Sequence, residues 1–438
     1  MSVAHSTQAV TVSTTNRQIT AHGGAVLLRA TARAVGLVDS MGRWLRLKRR
    51  ARGLSDAHFV LAMAESIALG ATCLDDLQVA RADEAQTMLR GFEVPAPQTV
   101  GAWLRRFTIG HIRQLDKALA EVCRRAFTLG GTKKVTLDFD SSYIFSRSKR
   151  RQGADRTYKK GYALHPLFCF DSGSGVAVHA RLRRGRVNTA KGMSTFLRET
   201  LRRIPQGVAI RARLDSGFYG EALLGQMEGS GVIYLCGVPL NPGIKKVLVN
   251  MGDEGWEPCL DDKNGEVFEF GYRMGSGDRF RRYIVKRAAV EIGQQLTLEE
   301  GAHRYWVLVT NDQTTPAPVL ESEHRHKADV ENGVRELKSN FGLHALRKHG
   351  FMANWAWLLL VCLAHNLCCW TQQLGELDAG RDGGDLRAKR LRYRFLVVPA
   401  LLVASGRRVV LKLRADYPFL RKFLAALARL RLLPALAG

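Results

Sequence analysis

The stretch Lys133-Lys-Val-Thr-Leu-Asp-Phe-Asp-Ser-Ser142 decides how the rest of the chain is read. It reads as a β-strand in which Asp138 and Asp140 stand two residues apart, so both side chains point to the same face. An acidic pair on one face of an otherwise apolar strand is costly unless it binds a cation or a partner base. Downstream comes a strongly basic loop, residues 147–160. Residues 162–170 and 176–182 then read as a hairpin joined by Asp171-Ser-Gly-Ser-Gly, a strong turn signal. Residues 189–204 read as a helix stopped by Pro205-Gln-Gly, and residues 208–214 as a strand. A helix over 219–229 and a strand over 232–238 follow. This order implies an α/β core with a mixed sheet flanked by helices.

The rhythm breaks over residues 240–315, where VFEFGYRM, RFRRYIVKRA and RYWVLVTN read as strands between Gly- and Asp-rich turns, a β-rich insertion inside the α/β domain. Helices return at 321–341 and 354–373. A Gly/Asp-rich linker follows at 375–385, then a basic strand, RRVVLKLR, and an amphipathic segment, FLRKFLAALARLRLL. Upstream, residues 20–130 are mainly helical. Ser55 is a natural N-cap for AHFVLAMAESIALG, Gly70 closes that helix, and residues 74–89 form a second periodic stretch. After the turn-rich VPAP, residues 98–107 form a short helix carrying Trp103, Arg105 and Arg106. It is either a DNA-reading helix or an ordinary amphipathic helix with a basic face. The expected domains are a helical DNA-binding region over 1–130, a catalytic domain over 131–374 and a basic strand-helix tail over 375–438.

Bulk composition agrees with about two to three domains. Hydrophobic residues make up 46% and charged residues 24% of the 438, a globular rather than disordered balance. The formal charge is +26, from 66 Lys+Arg against 40 Asp+Glu, which favours a polyanionic partner and salt-sensitive association. The eight cysteines show no C-x-x-C pair and read as buried, reduced thiols. No secretory signal is evident, and the apolar run at 355–370 is short of the about 20 residues that span a bilayer, so it reads as a buried helix.

Two further acids stand out. Asp215 ends the strand of RARLDSGF, where Gly217 permits a tight turn, and ligand crevices of open α/β sheets lie beyond the carboxyl ends of strands. A helix N-cap is the plain alternative. In EHRHKADVENGVRELKSNF, at about 100° per residue, Val330, Val334, Leu337 and Phe341 form an apolar stripe. Glu331 lies on one edge of it with His324, Lys327, Arg335 and Lys338. Intrahelical ion pairs would explain such an edge, but it suits a carboxylate on a metal with cations on phosphate oxygens better. Three carboxylates far apart in sequence can hold two divalent ions for an in-line attack on phosphorus, and Mg²⁺ suits an all-oxygen set. There is no P-loop, HExxH or zinc-ligand Cys/His spacing. His165, before Pro166, reads as structural.

The segments LDFDSS, GYALHPLFCFD, RLRRGRVNTAKG, RARLDSGFYG, VENGVRELK and FMANWAWLLLVCLAHNL resemble, in order, bacterial insertion-sequence transposases of the DDE group 1 type. The resemblance implies a ribonuclease H-like core interrupted by a β-rich insertion. It makes Asp140, Asp215 and Glu331 the metal ligands for Mg²⁺, with Mn²⁺ as substitute, and leaves Asp138 a rival for the first. Relatives carry a Tyr-x-x-Arg-x-x-x-Glu-x-x-x-x-x-x-Lys signature, matched here by His324, Lys327, Glu331 and Lys338; Lys for Arg keeps the charge but loses the bidentate fork.

The function so implied is cleavage at the terminal inverted repeats of a mobile element and transfer of 3′-hydroxyls to target DNA, by a homodimer paired on two ends. DNA contacts are expected from His324, Lys327, Arg335, Lys338, Arg105, Arg106, Lys149 and Arg150, with residues 147–160 and 181–186 on phosphates. The expected setting is the bacterial cytoplasm, at the nucleoid, with no membrane partner. A nuclease or resolvase without joining, and a catalytically dead DNA-binding derivative, are the competing readings.

Overall fold

The computed structural model describes residues 12–48, 50, 52–157, 159–274, 277, 279–289, 303–326, 328–346, 348–377, 388–406 and 408–434. Lys327 and most of the 375–385 linker lie outside them. The strands of the large sheet are, in chain order, β1 (Lys134–Ser141), β2 (Leu167–Asp171), β3 (Ala177–Arg181), β4 (Ala209–Leu214) and β5 (Ile233–Val238). The four that follow are β6 (Glu257–Pro258), β7 (Gly265–Arg273), β8 (Phe280–Ala289) and β9 (His303–Thr310). Their order across the nine-stranded sheet is β6-β7-β8-β9-β5-β4-β1-β2-β3. Strands β1, β4 and β5 are mutually parallel, so their carboxyl ends share one edge, and β1–β2–β3 run as an antiparallel meander.

The β-rich insertion therefore extends the same sheet: β9 pairs antiparallel with β5, matching Val307 to Val238. The insertion also carries a helix, Pro242–Val249, started by Pro at its first turn and capped by Asn241, whose side chain accepts from the Ile244 amide. The expected hairpin strand over 162–170 is interrupted at His165-Pro166. Its first part, Tyr162–Leu164, pairs in a separate three-stranded sheet, because a proline cannot donate to a ladder.

Two expected helices are split. Residues 74–89 form Leu77–Ala82 and Glu84–Arg90, because Asp83 leaves helical geometry and caps the second helix by accepting from the Gln86 amide. The helix expected over 321–341 is two, Ala317–Arg325 and Ala328–Asn340. The Glu323 carbonyl, in the last turn of the first of these, accepts Arg213 Nη1 at 2.6 Å.

The Phe351–Leu374 helix is buried along most of its length and packs against Asp56–Leu69, Ile109–Leu129 and β3. Among the described residues it is the one helix apolar and long enough to cross a membrane by composition, and its burial makes it a core helix. Each fully buried Leu of its Leu358–Leu360 run contributes roughly 1.5–3 kcal/mol. Ser55 caps Asp56–Leu69 by accepting from the His58 amide, and Gly70 ends it at φ 125°. The tail strands Ala400–Ser405 and Arg408–Leu413 form a sheet with Ile19–Thr20, and the Leu420–Leu432 helix packs on Ala25–Ala34. The cysteines form no disulfide among the described residues, and most are buried.

Candidate active site at the strand ends

The register between β1 and β4 positions the acids. Asp138 stands opposite Arg213 across the parallel pair; two residues further along each strand come Asp140 and Asp215. Both are partly buried at the carboxyl edge of neighbouring strands, where two like charges favour a shared cation. Asp138 has a different fate. It is 1% exposed, and its two carboxylate oxygens accept Arg213 Nε at 2.6 Å and Nη2 at 2.7 Å. Arg213 is equally buried and also donates to Ser172 Oγ. The acidic pair on one strand face is thus divided into a buried ion pair and a strand-end carboxylate.

Two glycines permit the close approach of backbone around these ends. A Cβ on Gly237 would lie 2.8 Å from the Ser216 amide nitrogen, so β5 can lie against the Asp215–Ser216 turn only without one. A Cβ on Gly333 would meet the Phe170 ring at 2.8 Å, and its absence lets the Ala328–Asn340 helix sit close to the sheet. Phe170 is paired with Asp138 and shares its face, so this helix lies over the face that carries Asp138 and Asp140.

Lys338 on that helix donates from Nζ to Ser142 Oγ at 2.8 Å and to the Tyr143 carbonyl at 3.1 Å. Burial lowers its pKa, opposed by the Asp140 carboxylate nearby. Glu331 is exposed on the same helix, on the edge of Lys338 and about 10 Å along the axis from it. The described contacts therefore bring Lys338, rather than Glu331, against the Asp140 strand end. His324 belongs to the preceding helix and donates from Nε2 to the Leu214 carbonyl at 3.1 Å, beside Asp215. Arg335 is exposed and bonds Asn332 Oδ1.

His165 is a structural bracket, as its sequence context indicates. Its Nδ1–H donates to the Val187 carbonyl at 2.9 Å, which leaves Nε2 to accept from Ser141 Oγ at 3.0 Å. Burial lowers its pKa.

Beside Asp215 a cleft of about 780 Å³ opens toward β8 and β9, lined by His324, Asp262, Lys286, Glu321, Arg325 and Trp306. Glu321 Oε1 accepts Arg325 Nε at 2.7 Å, while Oε2 is buried without a hydrogen-bond partner. Burial, reinforced by Asp262 and Asp261, pushes Glu321 up to about 7. Sequence reading did not single out this group, because its members are scattered from Asp262 to Arg325 and meet only when β8 pairs with β9.

The basic segments divide. Lys149 and Arg150 are exposed, as are Arg105 and Arg106. In the 181–186 segment Arg181 and Arg183 are engaged within the protein, while Arg184 and Arg186 are exposed. Arg183 donates to the carbonyls of His165, Asn188, Thr189 and Lys191, Arg181 pairs with Glu199, and Arg184 pairs with Asp155. Trp103 is core rather than a DNA contact: it is 2% exposed and donates from Nε1 to Asp56 Oδ1 at 2.8 Å.

Carboxylates at the ends of neighbouring parallel strands, with an acid-bearing helix across them, make a candidate cation site. The chain belongs to the Transposase DDE domain group 1 family, whose model matches residues 3–435. Among solved structures the chain is similar to a piggyBac transposase synaptic complex with hairpin DNA. The TM-score is 0.44 at 13% identity, covering 84% of this chain and 78% of that one. No curated protein matches.

Proposed function

We propose that the protein is a cut-and-paste DNA transposase that binds the terminal inverted repeats of a mobile element, cleaves its ends and transfers the 3′-hydroxyls to target DNA. The observation that carries this reading is the β1–β4 register, which sets Asp140 beside Asp215 in a chain of the transposase family. The order β3-β2-β1-β4-β5, an antiparallel meander followed by two parallel strands, supports a ribonuclease H-like core.

The donor set is all carboxylate, which fits Mg²⁺ or Mn²⁺. Asp140 and Asp215 would hold the ions, joined by Glu331 from the helix across the sheet face. Ions held there would supply activation of a water or 3′-hydroxyl and charge stabilisation of the leaving oxygen. Arg213 keeps Asp138 out of the ligand set by occupying both its oxygens. Lys338 and His324 fix the two strand ends, and exposed Lys149, Arg150, Arg105, Arg106 and Arg335 take the phosphate backbone. Pairing of two ends calls for a homodimer on DNA, acting at the bacterial nucleoid.

The test is Asp215→Asn. The variant should bind inverted-repeat DNA with affinity near that of the parent and lose Mg²⁺-dependent strand cleavage. Undiminished cleavage would remove the reading. Pre-cut ends incubated with target DNA then separate transposition, which yields joined products, from a nuclease or resolvase, which yields none.

A further inference from the structure

On the opposite side of the sheet, where β3 meets the helices, a second group of ligand-type side chains converges. His179 stands on β3 opposite Cys169, itself opposite Phe139, and stacks on Phe196 with ring centroids 4.1 Å apart. Phe139 packs edge-on against the same Phe196, so His179 lies on the sheet face away from Asp140. Asp116 comes from the Ile109–Leu129 helix and Glu199 from the Met193–Leu201 helix. One ligand atom from each residue lies within 4.8 Å of the other two.

The tautomer of His179 follows from its neighbours. Thr200 Oγ1 donates its proton to the Phe196 carbonyl at 2.8 Å, so it accepts from His179 Nδ1–H at 2.9 Å. In the neutral ring the Nε2 lone pair then faces Asp116 Oδ1 at 3.6 Å and Glu199 Oε2 at 3.7 Å. The spacing suits an ion. Bonds near 2.1 Å put tetrahedral ligand atoms about 3.4 Å apart.

We propose that Asp116, His179 and Glu199 bind a transition-metal ion of the zinc class that ties the Ile109–Leu129 helix to the sheet edge. Arg203 bonds Asp116 Oδ1 and Arg181 bonds Glu199 Oε2, the same oxygens that face His179, so an ion here would share each carboxylate oxygen with a guanidinium. These guanidiniums already balance both carboxylate charges. Affinity therefore rests on the imidazole nitrogen, which selects Zn²⁺, Co²⁺ or Ni²⁺ over Mg²⁺ or Ca²⁺. All three residues line a cleft of about 830 Å³ to which Lys117, Arg124 and Trp44 also contribute.

The test uses full-length apo protein carrying Asp140→Asn and Asp215→Asn, so that the strand-end carboxylates offer no competing site. Titration with Co²⁺ should give one equivalent per chain with the intense visible bands of a tetrahedral site, displaced by Zn²⁺ and not by Mg²⁺. Glu199→Gln should weaken Co²⁺ binding at least about tenfold with an unchanged far-UV circular dichroism spectrum, and His179→Gln should abolish the bands. Absence of Co²⁺ and Zn²⁺ binding overturns the proposal. So does binding undiminished in Glu199→Gln, whether or not His179→Gln folds.

Discussion

The carboxylate of Asp138 receives the guanidinium of Arg213 through two parallel hydrogen bonds, 2.6 and 2.7 Å long, between residues 75 apart in sequence. Both side chains are almost wholly buried. Removing one partner strands a charge in the interior, so Arg213→Met should lower stability by about 3–5 kcal/mol. Asp140→Asn, at the strand end, should change it by less than about 1 kcal/mol. Urea unfolding of the two variants checks the contrast. Equal losses would mean that Asp138 and Asp140 do not play different parts.

Lys338 ties the Ala328–Asn340 helix to the loop that follows Asp140. Lys338→Ala should therefore slow end cleavage at least about tenfold by releasing Glu331 from register with the strand ends. The slope of DNA affinity against salt should change by less than about one, because the amine is spent on Ser142 and Tyr143 rather than on a phosphate. A slope smaller by a full unit at unaltered cleavage rate would reassign Lys338 to the DNA backbone.

Lys149 and Arg150 are exposed in the basic loop. Their joint replacement by Gln should weaken binding to specific and unrelated duplexes alike and reduce the salt slope by roughly two, at about 0.9 per lost phosphate contact. Fluorescence anisotropy over a salt series measures this. An unchanged slope would place the DNA elsewhere.

Glu321 is pushed up from 4.5 to about 7, first by burial and then by Asp262 and Asp261. The folded protein then binds a proton more tightly than the unfolded chain. This stabilisation is complete below about pH 4.5 and is lost as pH rises through about 7. Glu321→Gln, which keeps the uncharged form at every pH, should raise the melting temperature near pH 8 relative to the parent and leave it little changed near pH 4. A parent-like pH profile would show that Arg325 and Lys286 keep Glu321 ionised.

The sequence by itself determined the strands of the α/β core, the helix start at Ser55, a buried helix over 354–373 and the candidate standing of Asp140, Asp215 and Glu331. These features are local. Alternation, capping and turn residues act within a few positions, and the strand-end place of Asp215 follows from the Gly-containing turn after it. Only the tertiary structure decided which acid of the Asp138/Asp140 pair is spent on Arg213, because that depends on the register between strands distant in the chain. It also decided that the 321–341 stretch lies in two helices, Ala317–Arg325 and Ala328–Asn340, with the Glu323 carbonyl and His324 bonded to β4, contacts that helical phase alone does not contain. The inward use of Arg181 and Arg183 is of the same kind. A basic run looks like a DNA surface until the fold supplies carbonyls and carboxylates that satisfy its charges first.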